Sequence, residues 1–351
     1  MKTFYCDDCG SLLFFENVQC IRCKHTLGFL PDIQDLSALE PASRDQWRAL
    51  ALPDLFYRQC QNYRDHNACN WCVPVTDQNA FCLSCRMDTT IPNLSVPGNL
   101  ERFRKIETAK RRLIYTLRQL QLPLEGRENR SPLRFSFLAD VPGNAPVLSG
   151  HENGLITLNI AEADDVEREK RRVSLHEPYR TLLGHFRHES GHYYWDQLIA
   201  GTPRLSRFRE LFGDETPDYA AALKRHYEQS APADWQTHLV SAYASSHPWE
   251  DWAETWAHYL HIRDTMETAA GFGMALAPKH PAAKAMAANP SKTAGQKTGF
   301  DDVLKNWFPL TYALNSLNRG MGLPDLYPFV LSDPVIEKLH FIHETVMEAR
   351  E

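Results

Sequence analysis

All nine cysteines of this 351-residue chain lie between Cys6 and Cys85, and most of them stand in C-x-x-C pairs. The N-terminus lacks the apolar core of a secretory signal, so we expect a cytoplasmic protein with reduced thiols. Clustered, paired thiols in a reducing compartment are typical of zinc sites and not of disulfides. The sequence therefore predicts an N-terminal region that depends on bound zinc for its fold.

The first two pairs predict a small zinc ribbon in residues 1–30. Cys6 and Cys9 form one pair, Cys20 and Cys23 form the other, and ten residues separate the pairs. Four thiols in two such knuckles match a structural zinc site. A unit of this size buries too little apolar surface to fold unaided, so we expect it to rely on zinc–sulfur bonds.

A second cysteine-rich unit is predicted in residues 55–95, with one thiol more than a tetrahedral site takes. Its thiols belong to Cys60, Cys69, Cys72, Cys82 and Cys85. Cys82 and Cys85 make a good knuckle, and spacing alone would pair it with Cys69 and Cys72. An apolar stretch begins at Cys72, however, where this thiol could be buried as a small hydrophobic group, which favours Cys60 with Cys69. On the residues alone the choice stays open.

Charge and hydropathy exclude two classes of partner. The formal net charge is -6, and neither cysteine-rich unit interleaves dense Lys and Arg with aromatic residues, so a nucleic-acid ligand is disfavoured. No apolar stretch is long enough to span a bilayer. We therefore expect the two units to have a structural or a protein-docking role.

Residues 97–351 are predicted to form one mostly helical domain with a small sheet, which makes the whole chain an α+β protein. Apolar residues at helical spacing predict a long helix over Asn99–Leu120, and we expect its many Lys and Arg residues on a solvated face. Strands are predicted at 134–138 and 154–160. Further helices are expected from residue 161 onward.

Two segments are predicted to lack regular packing. Residues 30–57 are expected to be a polar connector with weak helical character over 44–52. Residues 269–299 are rich in Ala, Lys, Gly and Pro, and we expect a mobile surface insertion there.

An H-E-x-x-H pentapeptide at residues 188–192 is the most informative motif of the larger domain, and it lies in a predicted helix over 178–199. On a helix, His188 and His192 lie one turn apart on the same face, where both can bind one metal ion. Glu189 then lies beside the metal, where it can activate a water molecule.

Three further positions of this helix refine the prediction. Gly191 costs about 1 kcal/mol of helix stability relative to alanine, which suggests the close approach of another backbone. Asp196 follows His192 by one turn and could orient a histidine ring. Leu198 occupies the position where a three-histidine site would have its third ligand, so that subclass is excluded.

The remaining candidates for a third ligand are carboxylates in the segment Pro248–His261. Proline suits the first turn of a helix, and Glu250, Glu254 and His258 follow one another at four-residue spacing. Small residues lie between them and large aromatic residues flank them, as expected for a buried helix that faces a metal. An ordinary core helix would not place two carboxylates on such a face.

These motifs resemble the glutamate-zincin metallopeptidases, and the segment SAYASSHPWEDWAETW is most similar to the anthrax lethal factor type. In that type the first glutamate of an E-x-x-A-E segment binds the metal and a tyrosine seven residues earlier assists catalysis. The resemblance implies that Glu250 is the third ligand, that Glu254 lies behind it and that Tyr243 is the tyrosine.

The whole chain also resembles a bacterial family of zinc-binding metallopeptidases with an N-terminal zinc-ribbon region. That likeness extends from Cys6 through the CNW segment at Cys69 and the HFRHESGHYYWD segment to the DLYPFVL run at Asp325–Leu331. In the family the position of Cys72 is usually apolar. The resemblance therefore favours a second structural site made of Cys60, Cys69, Cys82 and Cys85.

The resemblance implies peptide hydrolysis with one catalytic and two structural zinc ions. Zinc held by His188, His192 and Glu250 would activate water, Glu189 would be the general base, and Tyr243 would stabilise the oxyanion. Side chains expected to support the ligands are Asp196, Glu254 and His258. An extended peptide substrate is expected to pair with an edge strand at Gly154, Ile156 and Leu158. The alternative is a zinc-ribbon adaptor that binds a protein partner and whose zincin-like domain has no turnover.

Overall fold

A computed structural model describes residues 1–127, 130–174, 180–293 and 298–350. The chain forms two compact units, which we call the cysteine-rich unit (2–115 and 133–171) and the helical unit (residue 1, 116–132 and 172–351). Small sheets lie in the first unit and long helices in the second, so the predicted α+β class is confirmed. Residues 133–171, assigned from the sequence to the larger domain, group with the cysteine-rich unit.

The cysteine-rich unit begins with a short antiparallel hairpin, β1 (Phe4–Tyr5) and β2 (Leu12–Leu13). Its inner face buries Phe4, Leu13 and Phe15, and the last of these packs edge-on against Phe29 with ring centroids 5.3 Å apart. Alternate residues therefore carry the hairpin's apolar contacts, as expected for a strand with one buried face.

A five-stranded antiparallel sheet follows the hairpin, where the sequence predicted a polar connector. Its strands, in both chain and sheet order, are β3 (Thr26–Leu30), β4 (Asp35–Ser43), β5 (Gln46–Ala49), β6 (Leu52–Gln59) and β7 (Cys72–Pro74). The predicted helical character over 44–52 is wrong. Prolines and charged residues within these strands obscure the alternation of apolar and polar residues that predicts a strand. The exposed strand ends need no such alternation, and a shift in register accommodates Pro41.

The rest of this unit contains α1 (Gln61–His66), a second, four-stranded sheet, and most of α2 (Asn99–Gln119). The order of the sheet is β10 (Gly150–Glu152), β11 (Leu155–Asn159), β9 (Arg134–Leu138) and β8 (Asp88–Thr90), and α3 (Asp165–Ser174) follows it in sequence. The strands predicted at 134–138 and 154–160 and the helix predicted at 99–120 are therefore present.

The predicted edge strand is wrong. The strand that contains Ile156 and Leu158 is an inner strand, because β10 pairs with its first half on the side opposite β9. Asn153 and Gly154 both have positive φ angles, 49° and 86°, and join β10 to β11 as a two-residue hairpin turn. The Asn-Gly pair is itself the sequence signal for this hairpin. On this side of the sheet the edge strand is β10 and not β11.

The sequence predicted that the basic residues of α2 lie on a solvated face, but two of them are buried. Lys110 is fully buried and Arg111 nearly so. Lys110 forms an ion pair with Glu107 at 2.6 Å and a second with Asp88. Burial alone would lower the pKa of Lys110, but these two carboxylates outweigh it and raise the pKa. The lysine therefore stays charged inside the unit.

Six helices make up most of the part of the helical unit that the structure describes. They are α4 (Leu182–Leu198), α5 (Arg204–Phe212), α6 (Tyr219–Gln229), α7 (Pro248–Gly271), α8 (Phe300–Gly320) and α9 (Asp333–Glu348). The helix predicted over 178–199 is present as α4, although residues 178 and 179 lie outside the described residues. No helix in the described part of the chain is long and apolar enough to cross a membrane.

Helices α4 and α7 pack closely enough for their backbones to approach each other at Gly191. A Cβ atom added there would lie 2.8 Å from the Cα of Ala253 and 3.2 Å from the Cβ of Trp256. Indole hydrogen bonds fix the contact: Trp252 donates to the carbonyl of Gly191 at 2.8 Å, and Trp256 donates to the Ser190 hydroxyl at 3.1 Å. The close approach predicted from the helical glycine is confirmed.

The segment predicted as a mobile insertion begins inside α7. Residues 272–293 then form two short 3-10 turns, Pro281–Met286 and Pro290–Lys292, and an isolated bridge pairs Leu276 with Ala288. Residues 294–297 lie outside the described part of the chain. The expected mobility of the segment stays a prediction.

Candidate metal centres

The first ribbon gathers the thiols of Cys6, Cys9, Cys20 and Cys23 within 4.8 Å of one another. The Sγ atoms of Cys6 and Cys23 lie 3.6 Å apart, as do those of Cys9 and Cys20. A tetrahedral zinc with Zn–S bonds of about 2.3 Å requires an S–S spacing of roughly 3.8 Å, and a disulfide requires about 2 Å. The four thiols therefore fit a zinc ion.

The second set of thiols consists of Cys60, Cys69, Cys82 and Cys85, whose Sγ atoms also lie within 4.8 Å of one another. Those of Cys69 and Cys82 are 3.7 Å apart, and the backbone N–H of Cys82 donates to the Cys60 sulfur at 3.3 Å. Such N–H···S bonds stabilise a thiolate. This set again has the donor chemistry and spacing that zinc requires.

The structure places Cys72 away from these four thiols. It is fully buried in an apolar cluster of the five-stranded sheet, whose other members are Leu30, Leu39, Ala49 and Tyr57. A Cβ atom at Gly28 would lie 2.3 Å from its sulfur. Burial raises the pKa of the Cys72 thiol, as expected for a thiol packed like a hydrophobic side chain.

The third centre joins α4 to α7 through His188, His192 and Glu250. The Nε2 atoms of the two histidines are 3.2 Å apart, and the Oε2 atom of Glu250 lies 3.0 Å from the first and 3.5 Å from the second. Bonds of about 2.0–2.2 Å from zinc to nitrogen and oxygen would give donor spacings of roughly 3.3 Å in a tetrahedral site. The three atoms therefore form one face of such a tetrahedron.

Buried oxygens without partners support this assignment. Glu250 is 1% exposed, and its Oε2 atom accepts no hydrogen bond within the described residues. The same is true of the Oε2 atom of Glu189. Three carboxylates, those of Glu189, Glu250 and Glu254, bring negative charge to His188 and His192. A dication fits both the open oxygens and the charge.

The ring of His188 is held from behind by Glu254, whose Oε1 atom lies 2.7 Å from Nδ1. With that nitrogen donating to a carboxylate, the Nε2 atom keeps its lone pair for a metal. Burial would lower the pKa of His188, but the carboxylates of Glu250 and Glu254 outweigh it and raise the pKa well above its usual value, so this position favours positive charge.

Two other residues expected to support the ligands lie further from them. Asp196 is half-buried, and burial raises its pKa against the opposing charge of His192. His258 contacts the hydroxyl of Tyr327 at 2.6 Å, and burial lowers its pKa to about 4, with the charge of Glu254 opposing. Their support of the ligands stays a prediction.

The general base predicted from the motif, Glu189, is 5% exposed and has one oxygen held by another histidine. Its Oε1 atom lies 3.0 Å from the Nε2 atom of His185, one turn earlier on α4. Burial would raise the pKa of Glu189, but the hydrogen bond and charge of His185, together with the charges of His188 and His192, lower it. Glu189 is therefore an ionised carboxylate whose Oε2 atom has no hydrogen-bond partner among the described residues.

Tyr243 lies in a 3-10 turn just before α7, with its ring centroid 5.9 Å from that of His188. Burial, and then the charge of Glu250, raise its pKa well above the usual value. The phenol therefore keeps its proton at neutral pH. The predicted substrate strand at Gly154, Ile156 and Leu158 belongs to the other unit and is no sheet edge.

Sequence reasoning missed three side chains of this site. His185 contacts the Oε1 atom of Glu189. His247 caps α7: its Nδ1 atom accepts from the Trp249 N–H at 3.1 Å, and its Nε2 atom donates to the Pro217 carbonyl at 3.3 Å. Tyr219 donates a hydrogen bond to the Oε1 atom of Glu250. His185 lies one helical turn before Glu189, and His247 directly precedes the proline that begins α7, so their positions could have indicated a role. No sequence motif marks Tyr219.

Comparisons with known proteins identify the family of the chain. Residues 99–345 match the family described as putative zinc-binding metallo-peptidase, and residues 3–96 match a zinc-ribbon domain. Proteins of Mycobacterium bovis and of two Mycobacterium tuberculosis strains, each described as uncharacterized, are 45% identical over 350 residues, which is 99% of this chain and 96% of theirs. No solved structure matches the chain significantly. The chain therefore belongs to the putative zinc-binding metallo-peptidase family, as its sequence had predicted.

Proposed function

We propose that this protein is a zinc-dependent peptidase in which His188, His192 and Glu250 bind the catalytic zinc and Glu189 is the general base. One observation carries the proposal: two histidine nitrogens and one buried carboxylate oxygen, from two packed helices, meet within 3.5 Å of one another. Three protein donors leave a fourth position for water or substrate, which is typical of catalytic zinc sites.

Zinc bound there would act as a Lewis acid on a peptide carbonyl and would lower the pKa of a water molecule. Transfer of the proton from water to the leaving amine is the task of the protein's own residues. Glu189 is ionised, His185 fixes its Oε1 atom, and its Oε2 atom has no hydrogen-bond partner among the described residues. That oxygen can accept a proton from the attacking water and pass it to the leaving amine.

Tyr243 is proposed to stabilise the oxyanion. Its pKa is raised by burial, so the hydroxyl can donate a hydrogen bond at neutral pH. Its ring lies beside that of His188, within reach of the group that the metal would bind. A donor positioned before the reaction stabilises developing charge without further reorganisation.

The two sets of four thiols are proposed to bind structural zinc, giving three zinc ions per chain. All nine cysteines are free thiols, which fits the expected cytoplasmic location. The outer face of the first hairpin exposes Tyr5, Leu12 and Phe14, an apolar surface that supports a protein partner at the ribbon. The substrate itself would be a peptide or a protein, and nucleic acid remains disfavoured by the net charge of -6.

The test is a comparison of wild type, His188→Ala and Glu189→Gln for zinc content and for cleavage of a quenched fluorescent peptide library. We expect His188→Ala to lose the catalytic zinc and all cleavage. Glu189→Gln should keep that zinc and lose at least about 100-fold in turnover, because the carboxylate moves the proton. Full activity in Glu189→Gln would contradict the mechanism.

The alternative is a zinc-ribbon adaptor without turnover. An ionised, partly unsatisfied Glu189 disfavours it, since a binding module has no use for a buried base. The adaptor would be supported if wild-type protein with full zinc occupancy cleaved neither the library nor a protein partner captured through the ribbon.

A further inference from the structure

We infer that Tyr219 is a positioning residue that makes Glu250 a single-oxygen ligand of the metal and thereby sets the metal affinity of the third centre. This inference rests on the proposed zinc site. The tyrosine hydroxyl donates to the Oε1 atom of Glu250, while the Oε2 atom faces both histidines. The two oxygens of one carboxylate thus have separate tasks, one toward the protein and one toward the metal.

The position of Tyr219 is fixed by aromatic contacts at the start of α7. Its ring lies edge-on to those of His247 and Trp249, with centroids 5.4 and 5.5 Å away and interplanar angles of 85° and 81°. His247 also holds the carbonyl of Pro217, two residues before the tyrosine. The segment that carries the hydroxyl is therefore tied to the same helical turn that carries Glu250.

Elsewhere α6 contacts the 3-10 turn that carries Tyr243, through His226, whose Nδ1 atom lies 3.3 Å from the Ser245 hydroxyl. Within this helix, all of which the structure describes, Ala222 alone is buried, and most other residues are exposed. Tyr219 opens the helix, and Asp218 caps it by accepting from the N–H of Ala221 at 2.7 Å. The hydroxyl of Tyr219 thus reaches Glu250 from the first residue of a mostly exposed helix.

A carboxylate beside a metal can bind through one oxygen or both. A hydrogen bond to Oε1 holds that oxygen away and keeps a coordination position free for water or substrate. Without it, Glu250 would leave a buried oxygen unsatisfied or turn it toward the metal, and the ligand would no longer be pre-oriented. Residues that orient ligands in this way typically contribute 10- to 100-fold in metal affinity.

The test is zinc binding to Tyr219→Phe, measured by competition with a chelator after confirming that both sets of thiols retain zinc. The variant keeps the ring contacts with His247 and Trp249 and removes only the hydroxyl. We expect zinc at the third centre to bind about 10- to 100-fold more weakly than in wild type. The matched control is Tyr312→Phe, an exposed tyrosine on α8, which should bind zinc as wild type does. Affinity within twofold of wild type in Tyr219→Phe would overturn the inference.

Wild-type protein supplies a second test that needs no folded variant. Co²⁺ replaces zinc at the third centre after selective chelation, with zinc left in the thiol sites. A single-oxygen Glu250 with one bound water predicts the intense visible d–d band of four-coordinate cobalt, whereas the weaker band of five- or six-coordinate cobalt would overturn the inference. His188→Ala separates this result from the proposed function. If that variant loses the third zinc while Tyr219→Phe binds normally, the site stands and only the role of Tyr219 fails.

Discussion

The thiol sites and the proposed histidine–glutamate site would bind zinc in opposite ways. Each thiol site gathers four sulfurs within 4.8 Å of one another, from short turns of the cysteine-rich unit. The histidine–glutamate site has three candidate donors on two helices of the helical unit, and Glu254 and Tyr219 contact two of the three residues from behind. As proposed, the first kind of site is complete, and the second is open.

The two kinds of site differ in what holds their donor atoms in place. In a complete site the metal–thiolate bonds themselves order the turns, so binding energy is folding energy. At the open site α4 and α7 pack directly on each other, with Gly191 against Ala253, so we expect these helices to be ordered without metal. Substitutions should therefore unfold the first kind of site and only weaken metal binding at the second.

The largest effect is expected in the second thiol site, where Cys60→Ala is compared with Cys72→Ala. Loss of the Cys60 thiolate should remove one zinc and unfold the cysteine-rich unit, since bound zinc contributes on the order of 10 kcal/mol. Cys72→Ala should keep all zinc and cost about 1 kcal/mol, as a small cavity in the apolar cluster. Mass spectrometry and thermal unfolding measure both. Loss of zinc from Cys72→Ala with retention in Cys60→Ala would reverse the assignment.

Gly191→Ala tests whether helix packing orders the open site. On an exposed helix this change stabilises by about 1 kcal/mol. Here the new Cβ would lie 2.8 Å from the Cα of Ala253, so we expect destabilisation by about 1–3 kcal/mol and weaker zinc at the third centre alone. The control is Gly320→Ala in α8, where a Cβ would meet no described atom within 4 Å. Equal effects of the two substitutions in denaturant unfolding would refute the packing argument.

Glu254→Gln tests how much the carboxylate behind His188 contributes. Glutamine keeps a hydrogen-bond acceptor near Nδ1 but removes the charge that makes the ring a better ligand. We expect zinc to bind about 10- to 100-fold more weakly at the third centre with no change in the thiol sites. Chelator competition gives the affinity, and Glu228→Gln, an exposed carboxylate on α6, is the control. Unchanged affinity in Glu254→Gln would assign the carboxylate a purely structural role.

The last prediction concerns the pH dependence of folding stability, to which His258 contributes. Burial lowers its pKa to about 4 in the folded protein, against 6.5 for an ordinary histidine. Between these values the unfolded chain binds a proton that the folded one does not, so stability falls as pH falls from 6.5 toward 4 and is constant above 6.5. By pH 5 the loss from this residue is about 2 kcal/mol. The unfolding advantage of wild type over His258→Gln should shrink by that amount between pH 7 and pH 5, and a constant difference would contradict the burial.

Much of the helical architecture was predictable because its signals are local. Apolar spacing predicted a helix over 99–120, and α2 spans Asn99–Gln119. The glycine inside the H-E-x-x-H motif predicted a close backbone contact, which the structure shows at Ala253. In each case residues within one or two turns of helix determine the feature.

The features that escaped prediction depend on distant parts of the chain. Strands β4 to β6 contain Pro41 and Pro53 and pair through a meander whose partners set the pattern of burial. Tyr219 lies 31 residues before Glu250, and nothing in its neighbourhood marks it as a contact. Asn153-Gly154 marks the hairpin that makes β11 an inner strand, but its other strand, β10, has only three residues and therefore little pattern of its own.

Zinc content of purified wild type and His188→Ala is the measurement that tests the central claim most directly. We expect three zinc ions per chain in wild type and two in His188→Ala, with the same helical content in both proteins. Retention of all bound zinc in His188→Ala would contradict the assignment of the open site.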